Sequence, residues 1–194
     1  MKKNSVYIFF SFSILCIAIY ACSDNEHKET TELANKQTKN DSLRDEELWT
    51  PPDTSTIPHD EFGEMVRYGR ELIVNTAYYI GPEGKAGKFL GNKMNCTNCH
   101  LDAGTKPYAF NFYSTHARYP QYRARENKIL SLADRVNNCI ERPHNGKHMP
   151  LNNKEMIAII SYMKWLGENV PVNAHVNGDG PLKVDFPSRA ADPF

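Results

Sequence analysis

Net charge is absent from this 194-residue chain: 23 lysines and arginines are matched by 23 aspartates and glutamates, so the basic excess that draws a protein to nucleic acid is missing. No internal repeat is present, which argues against solenoid and propeller architectures. Nor is any apolar run long enough for a comfortable membrane span. The stretch from Val6 to Ala21, behind Lys2 and Lys3, is short and has the flanks of an export signal. Cysteine is scarce as well: Cys16 and Cys22 belong to that leader segment, leaving Cys96, Cys99 and Cys139 in the body, too few for a disulfide framework.

What is there is Cys96-Thr97-Asn98-Cys99-His100. Two thiols at this spacing can form thioether bonds to the two vinyl groups of a haem, and the adjacent imidazole then falls beneath the iron. The pattern points to one covalent haem c, held by Cys96 and Cys99 with His100 as the iron ligand. A structural zinc knuckle would need a second pair of ligands that the flanking residues do not offer. With two thiols consumed, Cys139 has no disulfide partner, and in an exported protein that thiol needs another explanation.

The residues Ile19-Tyr20-Ala21-Cys22 resemble a bacterial lipobox, with Tyr20 bulkier than the usual small residue. They predict a lipid anchor on Cys22, with plain secretion as the alternative. Haem attachment also requires an exported compartment in bacteria, so the expected location is periplasmic or outer-membrane-anchored. From Ser23 to Thr56 the chain is polar and has no aromatic before Trp49, so it cannot offset its ordering entropy and reads as a tether ending at Pro51-Pro52. The resulting organisation is a signal peptide at 1–21, a lipid-anchored flexible tether at 22–57, a single haem domain at 58–172 and an extended tail at 173–194.

Three helices can be placed in that domain. Asp60 is the expected N-cap of a first helix whose Phe62, Met65, Val66, Gly69, Leu72 and Ile73 share one face. Gly69 in the middle of that face costs stability and predicts the close approach of another backbone. A last helix, with Asn152 and Glu155 as a capping box, buries Met156, Ile159, Ile160, Met163 and Leu166, and ends at Gly167 and Pro171. A middle helix starts near Ser131 and carries Val136, Cys139 and Ile140 on its inner side. Tyr108, Phe110, Phe112, Tyr113, Tyr119 and Tyr122 lie between and could wrap a porphyrin, although ordinary packing accounts for most rings of this kind.

A glycine-bearing first helix, a CxxCH segment and a last helix with Tyr162 and Trp165 resemble the cytochrome c fold, in which the terminal helices cross at the glycine and an aromatic. The expected class is all-α, a cytochrome c fold around one covalently bound haem c with loop-rich layers. Two stretches are more specific. GNKMNCTNCHLDAGTKP (91–107) and RVNNCIERPHNGKHMPLNNKEMIAIISYMKWL (135–166) resemble the N-terminal haem domain of the dihaem thiosulfate dehydrogenases. In that family the cysteine equivalent to Cys139 is the distal ligand of the catalytic haem, and the resemblance aligns Arg125 and Arg135 with substrate-binding arginines. The tail fits too, since Arg189-Ala190-Ala191-Asp192-Pro193 resembles the linker that precedes the family's second cytochrome domain. Only one CxxCH is present, so the family's electron-exit haem is expected on a separate protein.

Residue chemistry alone leaves the distal position open. A Cys139 thiolate stabilises ferric iron and lowers the reduction potential, a Met149 thioether raises it, and His144 and His148 are further candidates. If Cys139 holds the iron, the resemblance implies oxidation of thiosulfate to tetrathionate or the reverse. A small dianion then needs fixed positive charge, which guanidinium groups supply through paired hydrogen bonds. Arg125, Arg135 and Arg142 flank Cys139 in sequence, and could equally be solvated or serve haem propionates. One departure stands out: the family's Arg-Ser is Arg142-Pro143 here, which removes a pocket hydroxyl. Two functions therefore stay open. The chain is an electron-transfer cytochrome at the outer face of a bacterial membrane, or the catalytic haem subunit of a thiosulfate dehydrogenase or tetrathionate reductase. Either needs a redox partner, another cytochrome or a membrane quinol-linked donor.

Overall fold

The computed structural model describes residues 48–174 and 176–181. The signal peptide, the Cys22 anchor, the tether before Leu48 and the tail beyond Pro181 lie outside the described residues. Within them, α1 (Glu61–Val74) starts at Asp60, whose carboxylate accepts the Gly63 N–H at 2.8 Å, as the sequence predicts. Its buried stripe is Gly63, Val66, Gly69, Leu72 and Ile73, with Phe62 and Met65 half-buried at the edge. A short α2 (Thr76–Ile80) follows. An irregular stretch then leads to a 3-10 turn at Cys96–Asn98, a single helical turn α3 (Leu101–Gly104) and a short α4 (Thr115–Arg118). An antiparallel hairpin of β1 (Gln121–Arg123) and β2 (Lys128–Leu130) precedes α5 (Leu132–Glu141) and α6 (Lys154–Leu166).

The hairpin is a small addition to an otherwise helical fold. Its turn closes through Asn127 in the left-handed region, a conformation that asparagine tolerates. α5 is capped by a reciprocal pair, Ser131 and Asp134, each accepting the other's backbone N–H. α6 differs from expectation at its start. The cap is Asn153 rather than Asn152, with its side-chain oxygen accepting the Glu155 N–H at 2.8 Å. Glu155 is not free to close a capping box, because it is buried and accepts the Tyr68 hydroxyl of α1 at 3.0 Å. Burial, followed by this carboxylate, pushes the Tyr68 phenol up to about 12. Ile160, expected in the buried stripe, is only half-buried and packs at the core's margin.

α1 and α6 make the most extensive contact in the domain, and they cross at Gly69. A Cβ there would fall 2.0 Å from the Ala158 carbonyl oxygen and 2.8 Å from the Tyr162 Cβ, so the helices meet backbone to backbone where only glycine fits. Around the crossing lie Val66, Leu72, Ile73, Met156, Ile159, Tyr162, Met163 and Leu166, continuous with Ile80, Leu90, Phe112 and Met149.

Residues 48–57, within the stretch read as tether, are held against this core. Trp49 stacks on Tyr113, Ile57 is buried, and the Arg67 guanidinium donates to the Ile57 and Pro58 carbonyls at 3.0 Å each. Residues 176–181, within the stretch read as tail, fold back beside residues 108–118. Gly69→Ala is expected to destabilise the haem-loaded protein by about 1–3 kcal/mol through overpacking, measured by denaturant unfolding. At an open helical site the same change would be worth about 1 kcal/mol in the opposite direction.

Candidate haem site

The CxxCH turn is tethered from several sides. Its first residue donates from the Cys96 N–H to the Thr76 hydroxyl at 2.9 Å, and the preceding Asn95 accepts the Ala77 N–H at 2.9 Å, so α2 fixes where the motif begins. The two middle residues work within the turn. The Asn98 carboxamide accepts the Asn95 N–H at 2.7 Å, and the Thr97 hydroxyl accepts the Ala103 N–H at 3.1 Å. From the far side the buried Tyr162 hydroxyl donates to the Ala103 carbonyl at 3.0 Å, linking α6 to the haem-attachment turn. Asp102, Ala103 and Gly104 all have positive φ, so the chain reverses sharply just after His100.

Cys96, Cys99 and Cys139 are all free thiols. Burial pushes the Cys96 thiol up to about 11, opposed by the Thr76 hydroxyl and reinforced by the charge of Cys139 and then of Cys99, which brings all three sulfurs into one neighbourhood. His100 stacks on Phe112 with ring centroids 4.4 Å apart, and its Nδ1 pairs with the Phe110 carbonyl. A carbonyl only accepts, so this contact assigns the proton to Nδ1 and leaves Nε2 as the lone-pair nitrogen. Burial lowers the pKa of His100, the Phe110 carbonyl opposes this, and the charge of Arg135 lowers it further. The imidazole is thereby kept in the neutral form that binds a metal.

A second set of groups comes from α5. The Arg135 guanidinium donates to the Cys139 sulfur at 3.0 Å from one turn earlier on the helix. Glu126 from the hairpin turn accepts from Arg142 at 2.9 Å and Asn138 at 3.4 Å, with its second oxygen buried and unpaired. Arg125 is exposed on the hairpin turn; Arg123 is the hairpin arginine whose charge reaches Tyr119. Met149 lies wholly inside the core, its backbone N–H and carbonyl both held at 2.9 Å by the buried Asn137 carboxamide. His148 is exposed and pairs with Glu141 at 3.1 Å, whereas His144 is buried with its Nδ1 unpartnered.

The two halves meet because the chain before the motif pairs with the loop after α5. Gly91 N–H donates to the His144 carbonyl at 2.9 Å and Lys147 N–H to the Phe89 carbonyl at 2.8 Å. A Cβ on Gly91 would lie 2.0 Å from the Asn145 carbonyl oxygen, so no larger residue allows this approach. The residues fit a haem c: unpaired CxxC thiols, an imidazole with its Nδ1 already engaged, a facing thiol, and an unpartnered nitrogen on His144 that an added group could satisfy. Among the described residues no group of three or more His, Cys, Asp or Glu side chains is arranged to hold a bare metal ion.

Sequence reasoning missed Thr76, Asn95, Asn137, Arg123, Glu126 and the Phe110 carbonyl. Each is an ordinary polar group at an ordinary position, and only the three-dimensional fold brings it to the site.

Helices crossing at a glycine, with a CxxCH turn beneath them, define a c-type cytochrome domain, which carries covalently bound haem c. Residues 85–172 match the SoxA/TsdA cytochrome c domain, and this chain carries a domain of that family. It is 35% identical to a thiosulfate dehydrogenase of Psychrobacter arcticus over 95% of this chain and 64% of that protein. It is likewise 35% identical to one of Thiomonas intermedia, over 74% of this chain and 44% of that protein. The solved structure of the thiosulfate dehydrogenase TsdBA from Marichromatium purpuratum superposes with a TM-score of 0.67 at 27% identity, covering 75% of this chain and 31% of that one. The chain thus spans less than two thirds of the length of these relatives.

Asn137→Ala is expected to cost roughly 2–4 kcal/mol, because it removes both hydrogen bonds to Met149 and strands two buried backbone groups. Unfolding of the haem-loaded variant in guanidinium chloride checks this.

Proposed function

We propose that this domain oxidises thiosulfate to tetrathionate, or runs the reverse reaction, at a single haem c held by Cys96 and Cys99, with His100 as proximal and Cys139 as distal iron ligand. The observation that carries this reading is the Arg135 guanidinium 3.0 Å from the Cys139 sulfur. A cation at that position stabilises a thiolate ligand and offers fixed positive charge where a sulfur oxyanion would approach. When bound, the haem supplies a one-electron acceptor whose potential an anionic sulfur ligand lowers.

Arg135 is the group that binds and orients the anion, and the Glu126 carboxylate, itself paired with Arg142, limits how far the site's positive charge extends. Joining two thiosulfate ions through their terminal sulfurs forms one S–S bond and releases two electrons; splitting tetrathionate consumes two. No proton need move, so the site requires no general base. The electrons pass to or from another cytochrome or a membrane quinol-linked protein. Cys22 carries the lipid that holds the domain at the outer face of a bacterial membrane.

A second reading, a plain electron carrier, is favoured by two observations. Arg125 is exposed on the hairpin turn, and proline at 143 brings no hydroxyl. The readings separate in one experiment. Purified haem-loaded protein is mixed with thiosulfate, and separately with tetrathionate after reduction, with a small cytochrome as partner, and the haem redox state is followed by absorbance. Thiosulfate-dependent reduction is expected, with kcat/KM lowered about 10²-fold or more in Arg135→Gln. Cys139→Ala is expected to change the ferric spectrum. If neither compound alters the haem redox state, the enzymatic reading is abandoned and the carrier remains.

A further inference from the structure

The chain returns to the proximal side of the site after α6 has ended. Asp179 accepts from the Ser114 hydroxyl at 2.6 Å and pairs with Arg118. Gly178 offers its carbonyl to the Tyr108 N–H at 2.8 Å and to the Asn111 carboxamide at 2.5 Å. Asn177 accepts the Tyr108 hydroxyl at 2.6 Å and, through its carbonyl, the Trp49 N–H at 3.3 Å; Ala109 and Pro181 form an antiparallel bridge. All of these contacts except that to Trp49 fall on residues 108–118, the stretch that contains Phe110.

Phe110 needs such support. Its side chain is 56% exposed, so no core packing holds it, and both Tyr108 and Phe110 have positive φ, a conformation that side-chain-bearing residues resist. Yet its carbonyl is the partner of His100 Nδ1. Asn111 is the adjacent fixed point. It is buried, donates to Gly178 and to the Lys106 carbonyl at 3.5 Å, and accepts the Tyr113 N–H at 3.4 Å.

We propose that residues 176–181 form a strap that, through Asn111, holds the Phe110 carbonyl against His100 Nδ1–H and so sets the donor strength of the imidazole toward the haem iron, making Asn111 and Asp179 positioning residues. A hydrogen bond from Nδ1–H to a fixed carbonyl raises the basicity of the other ring nitrogen and stabilises ferric iron. Loosening the strap weakens that bond, and the reduction potential rises. The inference rests on His100 being the iron ligand but not on the identity of the substrate.

The test is redox titration and resonance Raman spectroscopy of the haem-loaded protein and its Asn111→Ala variant. The expected result is a higher midpoint potential and a lower iron–histidine stretching frequency in the ferrous form. Asn153→Ala, which removes the cap of α6 away from the strap and the haem-attachment turn, is the control expected to lose stability without moving either quantity. An unmoved potential and frequency in haem-loaded Asn111→Ala overturns the proposal. If that variant does not fold, Asp179→Asn is read by the same two criteria, with the same outcomes supporting or overturning it. His100→Gly separates a wrong ligand assignment from a wrong strap, since an unchanged haem spectrum there removes the ligand while leaving the strap contacts as they are.

Discussion

The pairing of residues 89–91 with 144–147 is the constraint on which the site depends. Neither the CxxCH turn nor the Cys139 helix can by itself set the spacing between the His100 imidazole and the Cys139 sulfur, the pair proposed above to hold the haem iron. The backbone hydrogen bonds from Gly91 to His144 and from Lys147 to Phe89 set it, because they join the chain just before the first thioether cysteine to the chain just after α5. Their stiffness comes from the absence of a side chain at Gly91, which lets the Asn145 carbonyl sit where a Cβ would otherwise be. Asn137 repeats the device one loop further on, with an amide side chain taking both backbone groups of Met149. That commitment of Met149 to the core and the approach of Arg135 to Cys139 are what support the proposed ligation by Cys139.

Much of the architecture was legible because it is written in periodicity. Asp60 as cap, the stripe from Val66 to Ile73 and the crossing at Gly69 follow from spacing and from the high cost of a buried helical glycine, which leaves few reasons for one to be there. The start of α6 was misplaced by one residue. Adjacent asparagines offer equivalent caps, and the choice between them was made by Glu155, whose partner Tyr68 is remote in sequence. The hairpin was not foreseen, since three-residue strands carry too little alternation to register.

The site divided along the same line. CxxCH is a local motif, and its chemistry can be read from five residues. The contacts that tune it, from Thr76, Tyr162 and a main-chain carbonyl, are long-range pairings or involve atoms that every residue possesses. Arg125 shares a hairpin with Glu126 and is exposed, whereas Glu126 accepts from Asn138 of α5 and from Arg142 at its end, so neighbours in sequence differ in environment.

The two faces of the site are built from different material. On the Cys139 side the groups belong to one capped helix and are fixed by its own hydrogen bonds, so Arg135 and Cys139 keep their relation as long as α5 is intact. On the His100 side the decisive group is a carbonyl in a loop with unfavourable backbone angles, and its position is held from outside by residues 176–181. A helix-borne contact fails only with the helix, but a loop-borne one can loosen while the core stays folded. The rigid charges of the Cys139 side suit the anion-binding role proposed for it. The loop-borne carbonyl of the His100 side suits the proposed tuning of that ligand, because its small displacement need not disturb the crossing of α1 and α6. Arg135 couples the two sides, because its charge acts on His100 as well as on Cys139, so a change there is expected to shift anion affinity and reduction potential together rather than additively.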